Sequence, residues 1–182
     1  MRREGGCGDD KGELFIREGG PVHVNRASGS GASKANDSGF SSNDFAGMTD
    51  GTIGVDNSQY KAHYKLANVP ARYGVNLGAV FRCSGMRFAS TRTNARPKTF
   101  QVQWASADSA TASDWTTLTI TGKTDQTDSF SGNKAVAMNA DGWQGVSFAP
   151  ISAQFWAALF VDDVYNVGDN DSGISEIEFI CE

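Results

Sequence analysis

The chain has 182 residues, 39% of them hydrophobic and 20% charged, with 21 glycines and only 4 prolines. That length suits one domain plus an arm, and a glycine share above the usual ~7% without a collagen-like period predicts many turns and few long helices. The longest apolar run, Phe155 to Val161, is far short of the ~20 residues of a membrane-spanning helix, and the net charge of −5 argues against a general nucleic-acid binder.

In chain order, residues 1–35 stand apart. Glycines crowd around two short strand-like pieces, Leu14–Arg17 and Val22–Asn25, and such a stretch cannot bury a core of its own. It is expected to be a glycine-rich arm that docks on its own domain or on a neighbouring chain, with the folded domain covering 36–182. The charged start Met1–Gly6 is followed by no apolar segment, so no signal peptide is expected. One helical turn or two is expected between Asn43 and Met48, ahead of the turn Asp50-Gly51.

From about residue 70 the signal is β. Phe81, Met86 and Phe88 form a short apolar set beside Arg82 and Arg87. Phe100, Val102 and Trp104 alternate with Gln101 and Gln103; Leu118 and Ile120 alternate with threonines; Val146 and Phe148 flank Ser147. Trp104, Trp115 and Trp156 lie in these patterns and are expected in the core. Trp143, after Asp141-Gly142, is either a strand start or an exposed platform. Clusters of Gly, Asn, Asp and Ser at Asp125–Asn133, Asn139–Gly142 and Gly168–Gly173 separate the strands. Many short strands with rich turns predict an all-β sandwich or barrel.

The charge is unevenly spread. Between Asn57 and Ala107 there is no acidic residue, yet Lys61, Lys65, Arg72, Arg82, Arg87, Arg92, Arg96 and Lys98 fall there. From Asp162 onward there are Asp162, Asp163, Asp169, Asp171, Glu176, Glu178 and Glu182 and no Lys or Arg. The simplest expectation is that the two segments are neighbours with complementary charges. The alternatives are a cation site in the acidic end and an anion- or glycan-facing basic middle. The cysteines, Cys7, Cys83 and Cys181, are too few and too scattered for a zinc motif, and the histidines are only His23 and His63. Cys181 shares the parity of Ile177 and Phe179, so a reduced core thiol is expected, with a Cys7–Cys181 bridge as the alternative.

Five blocks in order then resemble the discoidin, or coagulation-factor type C, domain and the related family 32 carbohydrate-binding modules: Ala46–Gly51; Tyr73–Gly78; Pro97–Ser106 followed by Asp114–Leu118; Val146–Trp156; and Gly173–Phe179. The resemblance implies an antiparallel β-sandwich jelly roll of galactose-binding-domain-like type, with the terminal strands adjacent and the binding loops at one end. It also implies no catalysis. The residues agree, since there is no G-x-S-x-G, H-E-x-x-H or P-loop motif and no credible Ser/His/Asp set. Many members hold one structural calcium. Carried over, Asp50 supplies a side-chain oxygen, backbone carbonyls come from around Met48 and Thr52, and Glu176 closes the site, a donor set that suits a hard cation. The chain departs from the family after the turn, where Val55–Tyr60 replaces the usual Thr-x-Trp.

For the sugar, the carbohydrate-binding relatives imply Arg92 and Asn94 before the Phe100 strand, Tyr165 and Asn166 before the last strand, and His63 or Tyr60 in the first binding loop. Trp143 is a further aromatic candidate. Arg and Asn side chains bond vicinal hydroxyls, while an aromatic face takes the C–H side of the ring. The expected function is therefore non-catalytic glycan recognition by a lectin-like domain on a phage or other virion surface. It would be made in the host cytoplasm and used for host attachment, its partners being a cell-surface glycan and, through the arm, other assembly proteins. The alternative is a decoration, fibre or tail component that uses the fold for assembly without binding sugar.

Overall fold

The computed structural model describes residues 32–43, 45–49, 62–65, 68–90, 96–138, 142–161 and 171–182. Along them run β1 (Ser33–Lys34), β2 (Phe40–Asn43), β3 (Ala62–Lys65), β4 (Ala71–Ser90), β5 (Thr99–Ala105), β6 (Thr116–Thr117), β7 (Ile120–Asp125), β8 (Thr127–Ser131), β9 (Lys134–Ala137), β10 (Gly142–Phe160), β11 (Asp171–Ile174) and β12 (Glu176–Cys181). The turn ahead of residue 50 is a single 3-10 turn, Gly47–Thr49.

Two long strands, β4 and β10, organise the molecule. They pair antiparallel from Gly142 opposite Ser90 to Phe160 opposite Ala71. The pairing slips between Ser147 and Ile151 and again between Ala153 and Phe155, and here both strands become exposed, at Gly78–Val80 and Ala149–Pro150. Such irregularities bend strands, so the pair passes from one layer of the sandwich to the other. In the first layer, β1 flanks the start of β4, and β5 with β6, β9 and β8 continues from the end of β10. In the second, β12 flanks the end of β4 and β7 flanks the start of β10. A small sheet, β11-β3-β2, completes the fold. The result is the jelly-roll sandwich.

Alternation places the core between the layers. Tyr73, Val75, Phe100, Val102, Trp156 and Phe160 face Met86, Phe88, Val146, Phe148, Ile177 and Phe179, all in one apolar cluster. Phe88, near the end of β4, packs edge-on against Phe100 (4.9 Å) and Phe160 (5.3 Å). Those contacts put both ends of β4 at one end of the sandwich, with the bend at the other.

The tryptophans divide. Trp156 is fully buried in the core and Trp104 packs partly buried against it, as the alternation predicts. Trp115 is also buried, but it belongs to a separate outer cluster with Ala105, Ala157 and Phe155, and it follows the 3-10 turn Ala112–Asp114 rather than lying in a strand. Leu118 likewise lies between β6 and β7. This outer layer hides polar groups that alternation assigns to solvent. Arg72, Gln101 and Gln103 are 4, 8 and 5% exposed. Arg72 Nε donates to Gln103 Oε1 (3.0 Å), Gln103 Nε2 donates to Thr117 Oγ1 (2.9 Å), and the guanidinium lies 5.1 Å from the centroid of Trp115. Burial pulls the Arg72 guanidinium below its usual pKa.

The expectation of a reduced Cys181 is overturned. Cys181 forms a disulfide with Cys83, its register partner across β12 and β4. Parity with Ile177 and Phe179 does put the side chain on the buried face, but strand pairing, which no local pattern carries, sets Cys83 opposite it. Cys7, the alternative partner, lies outside the described residues. The expected complementarity of the basic middle and the acidic end has a direct counterpart. Arg82 pairs with Glu182, and Arg87 pairs with Glu178.

Candidate functional site

The end of the sandwich opposite the bend is where connections converge. Ser90 and Gly142 face each other, so segments 91–95 and 139–141 leave from adjacent strand ends. The Ser90 hydroxyl donates to the Gly173 carbonyl (2.9 Å) in β11, which resumes the chain after segment 162–170. Within β3, His63 lies opposite Gly173. Glu176 opens β12 opposite Ala89, and Ala89 lies opposite Trp143 on its other side. The strand positions of His63, Trp143 and Glu176, far apart in sequence, therefore meet at one end. Tyr60, Arg92, Asn94, Tyr165 and Asn166 lie outside the described residues, as do Asp50 and Thr52.

Glu176 is completely buried, and β12 packs against the turn Gly47–Thr49, whose Met48 and Thr49 are buried as well. A carboxylate so placed needs a cation or strong donors to offset its desolvation. Among the described residues no group of three or more His, Cys, Asp or Glu side chains gathers as a metal cluster. The expected set drew two of its three members from 50–52, outside the described residues.

Around Trp143 the structure adds residues that sequence reasoning missed. On the outer face of the second layer, Glu178, Arg87, Gly145 and Thr124 stand in one cross-strand row. Arg87 Nε donates to Glu178 Oε2, and an Arg87 Nη lies 3.8 Å from Asp125 Oδ1. The guanidinium sits over the Trp143 indole, 4.1 Å from the ring centroid. Glycine at 145 makes this possible. A Cβ there would lie 2.8 Å from Asp125 Oδ2 and 3.0 Å from Arg87 Cβ, and inside contact distance of Thr124 Oγ1. Gly142, at φ +107°, turns the chain into β10 just before Trp143, a conformation that favours glycine. The one sequence signal for this cluster was the charge asymmetry, which put Arg87 in the basic segment and Glu178 in the acidic one.

No family model matches the chain, and no curated protein is similar to it in sequence. Solved structures do match. The family 32 carbohydrate-binding module of Clostridium perfringens NanJ, in complex with galactose, is 14% identical with a TM-score of 0.51, over 81% of this chain and 89% of that one. The module CBM32-3 from a family 31 glycoside hydrolase of the same organism is 13% identical with a TM-score of 0.56, over 88% and 95%. The lectin domain of lectinolysin, complexed with Lewis B antigen, is 15% identical with a TM-score of 0.52, over 85% and 94%. Contrary to what the resemblance implies, the first and last described strands do not pair with each other, since β1 and β12 flank opposite ends of β4. With its two long bent strands and converging loop end, the chain nevertheless has the jelly-roll β-sandwich fold of the family 32 carbohydrate-binding modules.

Proposed function

We propose that the chain is a non-catalytic glycan-binding domain whose sugar site lies at the loop end of the sandwich. The observation that carries this reading is the convergence there of the strand ends flanking 91–95, 139–141 and 162–170, in a fold whose solved neighbours are carbohydrate-binding modules and a lectin domain. Arg92 and Asn94 would bond vicinal hydroxyls, Tyr165 would cover the C–H face of the ring, and Tyr60, His63 and Asn166 would line the remainder. The test is an array of neutral and acidic glycans probed with the native chain and with Arg92→Ala. Retained signals that weaken at least tenfold in the variant support the site. A blank array for the folded native chain overturns the reading.

The setting proposed is a surface outside the reducing cytosol, such as a virion surface used for host attachment. The Cys83–Cys181 bridge supports the oxidising part of this reading, because such bonds persist there and are rare in cytosol. The arm is assigned to assembly with other copies or partner proteins. Deletion of residues 1–31 should lower the assembly state measured by light scattering, and an unchanged state removes that assignment.

A calcium ion at Asp50, the Thr52 carbonyl and Glu176 is proposed as a structural element. The buried Glu176 carboxylate beside the Gly47–Thr49 turn supports it. When bound, the cation would neutralise that carboxylate and tie the turn to β12. Saturating calcium should raise the melting temperature of the native chain by several degrees and that of Asp50→Ala far less. Equal responses overturn the site.

A further inference from the structure

We propose that Trp143 forms a second sugar contact on the outer face of the second layer, just below the loop end, with Arg87 as its positioning residue and a neutral sugar as its ligand. The proposal rests on the glycan-binding reading and adds to it a preference for oligosaccharides over a single sugar.

Among the described residues Trp143 belongs to neither apolar cluster and is half-buried. Among the described residues, its one cation or ring contact is the Arg87 guanidinium, 4.1 Å from the centroid. That cation is itself held by Glu178 and Asp125. A guanidinium lying over an indole and held by carboxylates covers the ring on one face. The proposed ligand lies on the opposite face, with the C–H side of a sugar ring against the indole. The gap at Gly145 is what lets Arg87 lie in this position, since any side chain there would intrude on Arg87, Thr124 and Asp125 together.

Position and charge define the ligand. Trp143 stands opposite Ala89, one residue before β4 ends at Ser90, from which segment 91–95 leaves. A glycan chain held by that segment can continue onto the indole. Glu178 and Asp125, with side chains 13 and 31% exposed, offer carboxylate oxygens to hydroxyls. Together with Arg87 they leave the patch one charge negative, which disfavours sialylated, uronic or sulfated residues and favours neutral ones.

The experiment uses arrayed galactose-, N-acetylgalactosamine- and fucose-terminated oligosaccharides, neutral and sialylated. The corresponding monosaccharides serve as free competitors, and the native chain is compared with Trp143→Ala, Trp143→Phe and Arg87→Lys. The ratio of oligosaccharide to monosaccharide affinity should fall roughly five- to tenfold in Trp143→Ala. Arg87→Lys, which keeps the charge but not the planar stack, should show an intermediate fall with a shift in tryptophan emission. Trp143→Phe should retain most of the ratio, and it keeps the test readable if the alanine variant fails to fold. An unchanged ratio in Trp143→Ala overturns the proposal, as does a native preference for the sialylated extension. An array blank for the native chain removes the glycan reading itself, and this contact with it.

Discussion

At Gly145 the missing side chain is as consequential as the side chains around it. Gly145→Ala should cost about 1–3 kcal/mol in urea denaturation, as overpacking does, and should shift tryptophan emission as Arg87 is pushed from Trp143. A loss of stability without any spectral change would mean that the strand moves and leaves the stack intact. Arg72 presents the opposite case, a buried cation whose side chain meets, among the described residues, one amide oxygen and one indole face. Its depressed pKa means that folding disfavours the charged form at every pH below that value and is relieved only as pH rises past it. The guanidinium stays protonated around neutrality, so Arg72 contributes no pH dependence to stability there. Arg72→Ala should cost about 2 kcal/mol or more through the lost stack and stem packing. Arg72→Met, which keeps the stem, should cost less in the same measurement.

Among the elements, legibility followed burial. β5 and the start of β10 were readable because one face of each meets the core, so Phe100, Val102, Val146 and Phe148 alternate with polar residues. β4 was readable only in fragments. Gly74, Gly78 and Gly85 interrupt its pattern, and its course through a bend places both faces of the molecule in one strand. The outer cluster over Arg72, Gln101 and Gln103 was illegible because a polar residue covered by a second layer looks like one in water. Of the candidate site, the motif resemblance points to the loop end, but the Arg87–Trp143 contact depends on register between strands more than fifty residues apart, which no local pattern carries. The same holds for Cys83 and Cys181, separated by 98 residues. Cys181→Ser with Cys83→Ser should lower stability by about 2–4 kcal/mol. Thiol titration of the unfolded, unreduced chain should find one reactive cysteine, Cys7; three would refute the bridge.

For the molecule as a whole, the first and last described strands both depend on β4: β1 pairs with its start and β12 with its end. Ile177 and Phe179 of β12 are at most 1% exposed, so the core is incomplete until the final residues of this sequence are in place. Truncation after Ser175 should abolish cooperative unfolding, read as a loss of the near-ultraviolet circular dichroism band. A retained sharp transition would show that the first layer is stable without its partner. The sandwich is dominated by pairings between distant segments, and folding on the millisecond-to-second scale is expected from that topology.

The cystine has one more consequence, a topological one. It closes residues 83 to 181 into a covalent ring, and 91–95, 139–141 and 162–170 all lie within that ring. A protease that cuts once in any of these three segments opens the ring without dividing the molecule. The nicked chain should migrate as a single species on a non-reducing gel and part into two only after reduction, so the proposed binding end can be damaged at a surface while the domain stays attached to it.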